Sequence, residues 1–121
     1  MAKNIPHHIG GREVEGRSGR QSPVFNPATG EETGRVALAS TAEVGEAVAT
    51  ARKAFPEWAA TTPLRRARIL NKFLRLLEER TNELAAVITH EHGKVLSDAV
   101  GEIQRGMEVV EFATAAPTLL K

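Results

Sequence analysis

The sequence predicts an α+β fold in which two β-hairpins are followed by four helices. Up to residue 39, glycine and proline turn signals separate short apolar segments, whereas residues 41–116 are rich in alanine, leucine and glutamate at helical spacing. We therefore expect a β-hairpin region over residues 1–39 and a helical region over residues 40–121. No internal repeat or low-complexity tract interrupts either region.

Two turn sequences define the predicted hairpins. Gly10-Gly11 separates the strands of the first hairpin, because paired glycines accept the positive φ of a tight turn. The segment from Asn26 to Glu31 separates the strands of the second, where Pro27 presets φ and Gly30 takes the left-handed position. An isolated hairpin is marginal in water, so we expect both to pack against a larger body.

Cap residues predict where the four helices begin. Ser40-Thr41-Ala42-Glu43 is a capping box, in which hydroxyl and carboxylate satisfy each other's backbone N–H groups. Thr62-Pro63 starts the second helix, with proline at the first helical position. Thr81 or Asn82 is expected to cap the third helix, and Ser97 the fourth.

Proline and glycine predict where the helices end. Pro56 and Trp58 are expected to end the first helix, Gly93 the third, and Pro117 the fourth. The second helix carries an unusually wide apolar band, which indicates burial on more than one side. Its members are Leu64, Ala67, Ile69, Leu70, Phe73, Leu74, Leu76 and Leu77.

The bulk composition excludes several classes of function. The 121 residues carry 16 basic and 15 acidic side chains, a balance that gives no reason to expect a nucleic-acid or anionic-membrane partner. No apolar run is long enough to span a membrane, and the N-terminus lacks the pattern of a secretory signal. Zero cysteines exclude a disulfide or a cysteine nucleophile within these residues. We expect a cytoplasmic protein.

The fourth helix contains an oddly placed arginine. At 100° per residue, Arg105 lies ~170° from the apolar stripe of that helix. Gly101 lies one turn earlier on the same side, where a mid-helix glycine costs about 1 kcal/mol relative to alanine. Two interpretations stay open at this point: the guanidinium pairs with Glu102 or Glu108, or the glycine leaves room for an anionic ligand.

Histidines and glycines give no metal or phosphate site. His7-His8 are strand neighbours that point to opposite faces, and His90 and His92 are two positions apart, which does not place them on one helical face. Gly10-Gly11 does not lie between a strand and a helix, as a phosphate-binding loop would. We expect no metal ligand in this chain.

Three segments resemble the aldehyde dehydrogenase superfamily. The turn FNPATGE is similar to the family's second hairpin, AVATARKAFPEWAATTPLRRARIL to its first two helices, and EHGK to its helix-end E-x-G-K motif. The order and spacing agree over roughly residues 8–121. The resemblance implies that this α+β piece is part of the α/β aldehyde dehydrogenase fold, one incomplete domain whose last helix leads into the cofactor-binding domain.

The end of the chain is similar to one group within that superfamily. GEIQRGMEVVEFA and the tail APTLLK resemble the CoA-acylating methylmalonate-semialdehyde dehydrogenases. The resemblance implies that Arg105, in the G-x-x-x-R-G context, holds the substrate carboxylate. It also implies an NAD-dependent oxidative decarboxylation to propionyl-CoA or acetyl-CoA, with NAD and CoA as cofactors, and a homodimeric or homotetrameric parent.

The chain departs from the family in its length. The family's catalytic cysteine and most of its cofactor contacts lie beyond position 121. The resemblance therefore assigns no catalytic and no cofactor-binding residue to this chain. We expect an N-terminal fragment that is inactive alone and binds neither cofactor. The alternatives are a self-standing helical binding or oligomerisation module, and a fragment of a generic, non-acylating NAD-dependent aldehyde dehydrogenase. A self-standing module would cover Leu70, Phe73, Leu74 and Leu77 internally.

Overall fold

The computed structural model describes residues 3–120 and groups them into two compact units, one up to Ala60 and one from Thr61. The first unit holds the strands and the first helix, and the second unit holds the remaining helices. The strands thus share a unit with the first helix, although the composition changes earlier, near residue 40. The expectation of one incomplete domain stays a prediction.

The predicted α+β content is confirmed, with one strand and one short helix beyond those expected. The strands are β1 (Lys3–Ile5), β2 (His7–Ile9), β3 (Arg12–Val14), β4 (Gln21–Phe25) and β5 (Glu32–Ala37). The helices are α1 (Thr41–Ala60), α2 (Pro63–Glu79), α3 (Thr81–His92), α4 (Leu96–Thr114) and α5 (Ala116–Leu119). Within residues 3–120, no helix has the length and apolar character needed to cross a membrane.

Both predicted hairpins are present in the first unit. β2 and β3 pair antiparallel across Gly10-Gly11, whose φ angles of 64° and 79° are those that glycine adopts without strain. β4 and β5 pair antiparallel across the second turn, where Asn26 accepts a hydrogen bond from Ala28 N and Gly30 has a φ of 74°. Local turn chemistry alone therefore fixed both connections.

The strand β1 was not predicted. It pairs parallel with β5 and completes a three-stranded sheet in the order β1-β5-β4. Gly34 on β5 makes this pairing possible, because a Cβ there would lie 2.8 Å from the carbonyl oxygen of Lys3. A three-residue strand next to the chain start carries too little pattern of its own to reveal a long-range parallel partner.

The capping box at the start of α1 forms as predicted. Ser40 N donates to Glu43 Oε2 at 2.8 Å, and Glu43 N donates back to Ser40 Oγ at 3.3 Å. Glu43 is only 4% exposed, and its second oxygen accepts a hydrogen bond from Arg17 N at 2.6 Å. Backbone donors from Ser40 and Arg17, followed by the Ser40 hydroxyl, lower the pKa of Glu43 from 4.5 to about 2. One carboxylate thus joins the loop before β4 to the start of α1.

Glu43→Gln is expected to weaken this junction in a pH-dependent way. Because the pKa of Glu43 is lower in the folded state, its stabilisation is complete above pH 4.5 and is lost as the pH falls to about 2. Amide hydrogen exchange of Arg17 and Ser40 is the measurement. Both amides are expected to exchange faster in the variant at neutral pH, and the difference is expected to vanish near pH 2. A difference independent of pH contradicts the role given to the charge.

The predicted end of α1 was wrong. The helix continues through Pro56 and Trp58 to Ala60. Pro56 lacks the N–H that would bond to the carbonyl of Arg52, but it lies in the last turns, where few hydrogen bonds follow it. A proline near a helix end therefore removes one hydrogen bond without ending the helix.

Cap prediction succeeded for α2 and failed for α3 and α4. Thr62 Oγ1 accepts from Arg65 N at 3.4 Å, and Pro63 is the first helical residue. Thr81 instead lies inside α3, and its hydroxyl donates to the carbonyl oxygens of Leu77 and Glu78 at the end of α2. Neither Thr81 nor Asn82 caps the helix, because α3 follows α2 after one intervening residue.

The fourth helix begins and ends slightly earlier than predicted. Its cap residue is Val95 in extended conformation, without a side-chain hydrogen bond, and Ser97 lies in the first turn. The helix ends at Thr114, three positions before Pro117, which lies at the start of the short α5. Gly93 ends α3 as predicted, with a φ of 84° and its N–H bonded to the carbonyl of Thr89.

Alanines are the buried residues in the described part of the second unit. α4 packs against α2 and α3, and Ala67, Ala85 and Ala99 are buried in these helices. The larger side chains of the apolar band on α2 remain accessible: Leu70, Leu74 and Leu77 are partly buried and Phe73 is 47% exposed. Residues 3–120 therefore cover this band only in part.

Candidate carboxylate-binding site

The fourth helix has two distinct faces. One face, which carries the predicted apolar stripe, is partly buried; its residues are Val100, Ile103, Met107, Val110 and Thr114. On the other side, Val109 and Phe112 are 69% and 70% exposed, and Arg105 is also exposed. Apolar side chains thus flank a cation on a face that no helix of the second unit covers.

Arg105 lies over Gly101. A Cβ built on Gly101 would be 3.6 Å from the Nη1 atom of the arginine, so the guanidinium folds back along the helix onto the glycine. Among residues 3–120, Arg105 forms no ion pair, either with Glu102 or with Glu108. The predicted pairing with Glu102 or Glu108 is therefore not formed, and a role of Arg105 in binding an anionic ligand stays a prediction.

Glu102 is engaged elsewhere. Lys94, in the loop after α3, donates from Nζ to Glu102 Oε1 at 2.5 Å. This hydrogen bond lowers the pKa of Glu102 below its usual value; partial burial opposes the shift, and the charges of Lys94, Arg105 and His92 add to it. Glu102 is therefore ionised and neutralised by Lys94 at neutral pH.

The ion pair between Lys94 and Glu102 was not predicted from the sequence. From the sequence, Lys94 was identified only as the last residue of the E-x-G-K motif. A positional signal was present, because Glu102 is seven residues after the cap residue Val95 and so lies on the same helical face as the incoming loop. Such a signal identifies a contact only once the helix start is known.

The histidines do not form a site. His7 and His8 alternate along β2, and the ring of His7 packs near Gly16, with Nε2 lacking a hydrogen-bond partner in the described part of the chain. His90 and His92 lie in the last turn of α3, where a positive charge is favourable. Residues 3–120 contain no group of three side chains arranged to hold a metal ion.

Comparison with known protein families shows the class of protein to which this chain belongs. The chain belongs to the aldehyde dehydrogenase family, whose model matches residues 14–121. This confirms the resemblance identified from the hairpin turn, the first two helices and the helix-end motif.

Within this family, the chain is similar to proteins named malonate-semialdehyde and methylmalonate-semialdehyde dehydrogenases. The chain is 49% identical over 118 residues to malonate-semialdehyde dehydrogenase 2 of Geobacillus kaustophilus, covering 98% of this chain and 24% of that protein. A Sinorhizobium meliloti structure, provisionally described as methylmalonate-semialdehyde dehydrogenase and complexed with NAD, matches with a TM-score of 0.95 and 52% identity, over 100% of this chain and 25% of the other. The methylmalonate-semialdehyde dehydrogenase of Oceanimonas doudoroffii matches with a TM-score of 0.93 and 48% identity, over 100% and 24%.

The chain spans about a quarter of the length of the relatives it matches. The activity, substrates and partners of those whole proteins are therefore considered as proposals for this chain.

Proposed function

We propose that this chain is part of an NAD-dependent, CoA-acylating malonate- or methylmalonate-semialdehyde dehydrogenase. The reaction is an oxidative decarboxylation to acetyl-CoA or propionyl-CoA. The observation that carries the proposal is Arg105 over Gly101, which forms no ion pair within residues 3–120. The chain is also about half identical to proteins named for semialdehydes that bear a carboxylate. The complete enzyme is the dehydrogenase of which this chain would be a part.

Arg105 suits a carboxylate for reasons of geometry and charge. A guanidinium presents parallel N–H donors that match the two oxygens of a carboxylate, and such charged bidentate bonds are stronger than neutral ones. Val109 and Phe112 give the surroundings an apolar character, and an apolar surface that becomes covered strengthens an ionic contact by excluding water. In this role Arg105 selects substrates with a carboxylate near the aldehyde.

The remaining chemistry belongs to other parts of the complete enzyme. This chain has no cysteine, so it cannot supply a thiolate nucleophile, and we propose that it is inactive alone. When bound, NAD supplies the hydride acceptor and CoA the acyl acceptor. The two-glycine turn lies within the hairpin of β2 and β3, not between a strand and a helix, so we assign neither cofactor to a residue of this chain.

The exposed apolar band on α2 supports the proposal that this chain is a part of a larger enzyme, and argues against a self-standing module. Phe73 is 47% exposed and Leu70, Leu74 and Leu77 are only partly buried, whereas a module with its own core would cover them. We further propose a cytoplasmic homodimer or homotetramer for the complete enzyme, as the resemblance implies.

An assay of CoA dependence tests the proposed function. The complete enzyme is expected to sustain NAD reduction with malonate semialdehyde or methylmalonate semialdehyde over many turnovers only when CoA is present, and to release CO2 and an acyl-CoA. The isolated 121-residue chain is the control and is expected to produce no NADH. NAD reduction at the same rate without CoA, giving a free acid, would instead support a generic aldehyde dehydrogenase.

A further inference from the structure

We infer that Lys94 is a positioning residue: it holds the Glu102 carboxylate away from Arg105 and so keeps the guanidinium free for the substrate carboxylate. The inference rests on the proposed function, since it takes Arg105 as the group that binds substrate. It adds a residue outside helix α4 to the determinants of specificity for carboxylated aldehydes.

The helix itself would favour an inhibitory ion pair. Glu102 and Arg105 are three positions apart on α4, a spacing at which opposite charges on a helix commonly pair. Such a pair would place an internal carboxylate on the guanidinium and compete with the substrate for the same donors. In the structure this pair is not formed, although the charge of Arg105 still acts on Glu102.

Lys94 explains why the competing pair is not formed. Its side chain is only 20% exposed, and its Nζ lies 2.5 Å from Glu102 Oε1, whereas the Glu102 side chain is 43% exposed. The preceding residue, Gly93, ends α3 with a left-handed φ of 84° that directs the chain into the loop. A partly buried lysine on a defined loop is a better-ordered partner for Glu102 than an exposed arginine on the same helix.

The arrangement of Arg105 agrees with this division of roles. Its guanidinium is folded toward Gly101, in the N-terminal direction along α4. Glu102 is hydrogen-bonded to Lys94. Within the described part of the chain, only Lys94 is hydrogen-bonded to the Glu102 carboxylate, so the N–H donors of Arg105 are available for the carboxylate of the substrate.

Lys94→Met in the complete enzyme tests the inference. Without Lys94, Glu102 turns to Arg105, and KM for malonate semialdehyde is expected to rise up to roughly fivefold, the upper range for an exposed ion pair. KM for propanal, which has no carboxylate, is expected to stay unchanged. Adding Glu102→Gln to Lys94→Met removes the competitor, so the double variant is expected to recover the original KM.

Further variants separate this role from a merely structural one. Lys72→Met removes an exposed lysine on α2 and is expected to change the KM for neither malonate semialdehyde nor propanal. Lys94→Arg is expected to retain the ion pair with Glu102 and the original KM values. A rise in both KM values, or no recovery in the double variant, overturns the inference. If Arg105→Leu affects carboxylated and simple aldehydes equally, the proposed function and the inference both fail; if only the Lys94 results deviate, the proposed function stands and the inference fails.

Discussion

Replacing Arg105 with leucine in the complete enzyme is expected to lower kcat/KM for malonate semialdehyde by about 30- to 1000-fold, equivalent to ~2–4 kcal/mol. The size follows from removing one partner of a charge-assisted bidentate contact, which leaves the substrate carboxylate without its cation. Propanal is expected to react almost as before, because it presents no carboxylate to the guanidinium. Steady-state kinetics with both aldehydes measures the difference.

Two further variants test whether the effect of Arg105→Leu comes from the loss of this particular guanidinium. Arg105→Lys keeps the charge but loses the planar fork, so its loss is expected to lie between those of the original enzyme and Arg105→Leu. Arg75→Leu removes an exposed arginine on α2 and is the matched control, with no expected effect on either aldehyde. Equal losses for malonate semialdehyde and propanal would contradict the role in carboxylate recognition.

Local sequence was sufficient where a few neighbouring residues determine the conformation. Gly10-Gly11 and the segment from Asn26 to Glu31 fixed both hairpins, since their φ requirements leave few other turns. Ser40 and Glu43 fixed the start of α1 because the capping box satisfies donors only three residues apart. In each case the interaction lies within a short stretch of chain.

Prediction failed where a distant or competing partner decided the outcome. Thr81 was expected to be a cap, yet its hydroxyl bonds to carbonyls at the end of the preceding helix. β1 depends on a pairing with β5 about thirty residues away, which periodicity in a three-residue segment does not reveal. The contact of Arg17 with Glu43 was equally inaccessible, because its two residues belong to different elements.

At the candidate site too, local geometry was predicted and a contact with a residue outside the helix was not. Helical geometry alone placed Arg105 opposite the apolar stripe and beside Gly101, and the structure finds the guanidinium over that glycine. The open question was whether Glu102 pairs with Arg105. Glu102 pairs with Lys94 instead, because the loop after α3 places the lysine beside it. The spacing of residues in the sequence did not identify this contact.

Gly101→Val is expected to lower kcat/KM for malonate semialdehyde by roughly ten- to hundredfold in the complete enzyme, because a displaced binding group loses its alignment with substrate. A Cβ at this position lies 3.6 Å from Arg105 Nη1, which is an ordinary contact. The two γ-methyl groups of valine extend further and occupy the space where the guanidinium lies. Valine is no worse in a helix than glycine, so the helix is expected to remain folded.

Gly101→Ala separates displacement of Arg105 from any change in the helix. Alanine adds only the tolerated Cβ, and it is expected to raise stability by up to about 1 kcal/mol through helix propensity, without lowering kcat/KM. Thermal unfolding and kinetics with malonate semialdehyde and propanal measure the two effects independently. If alanine lowers activity as much as valine does, the glycine serves close packing of the helix, and the space over it is not reserved for Arg105. If valine impairs only the carboxylated substrate, the glycine is kept, despite its cost to the helix, because the guanidinium needs that space.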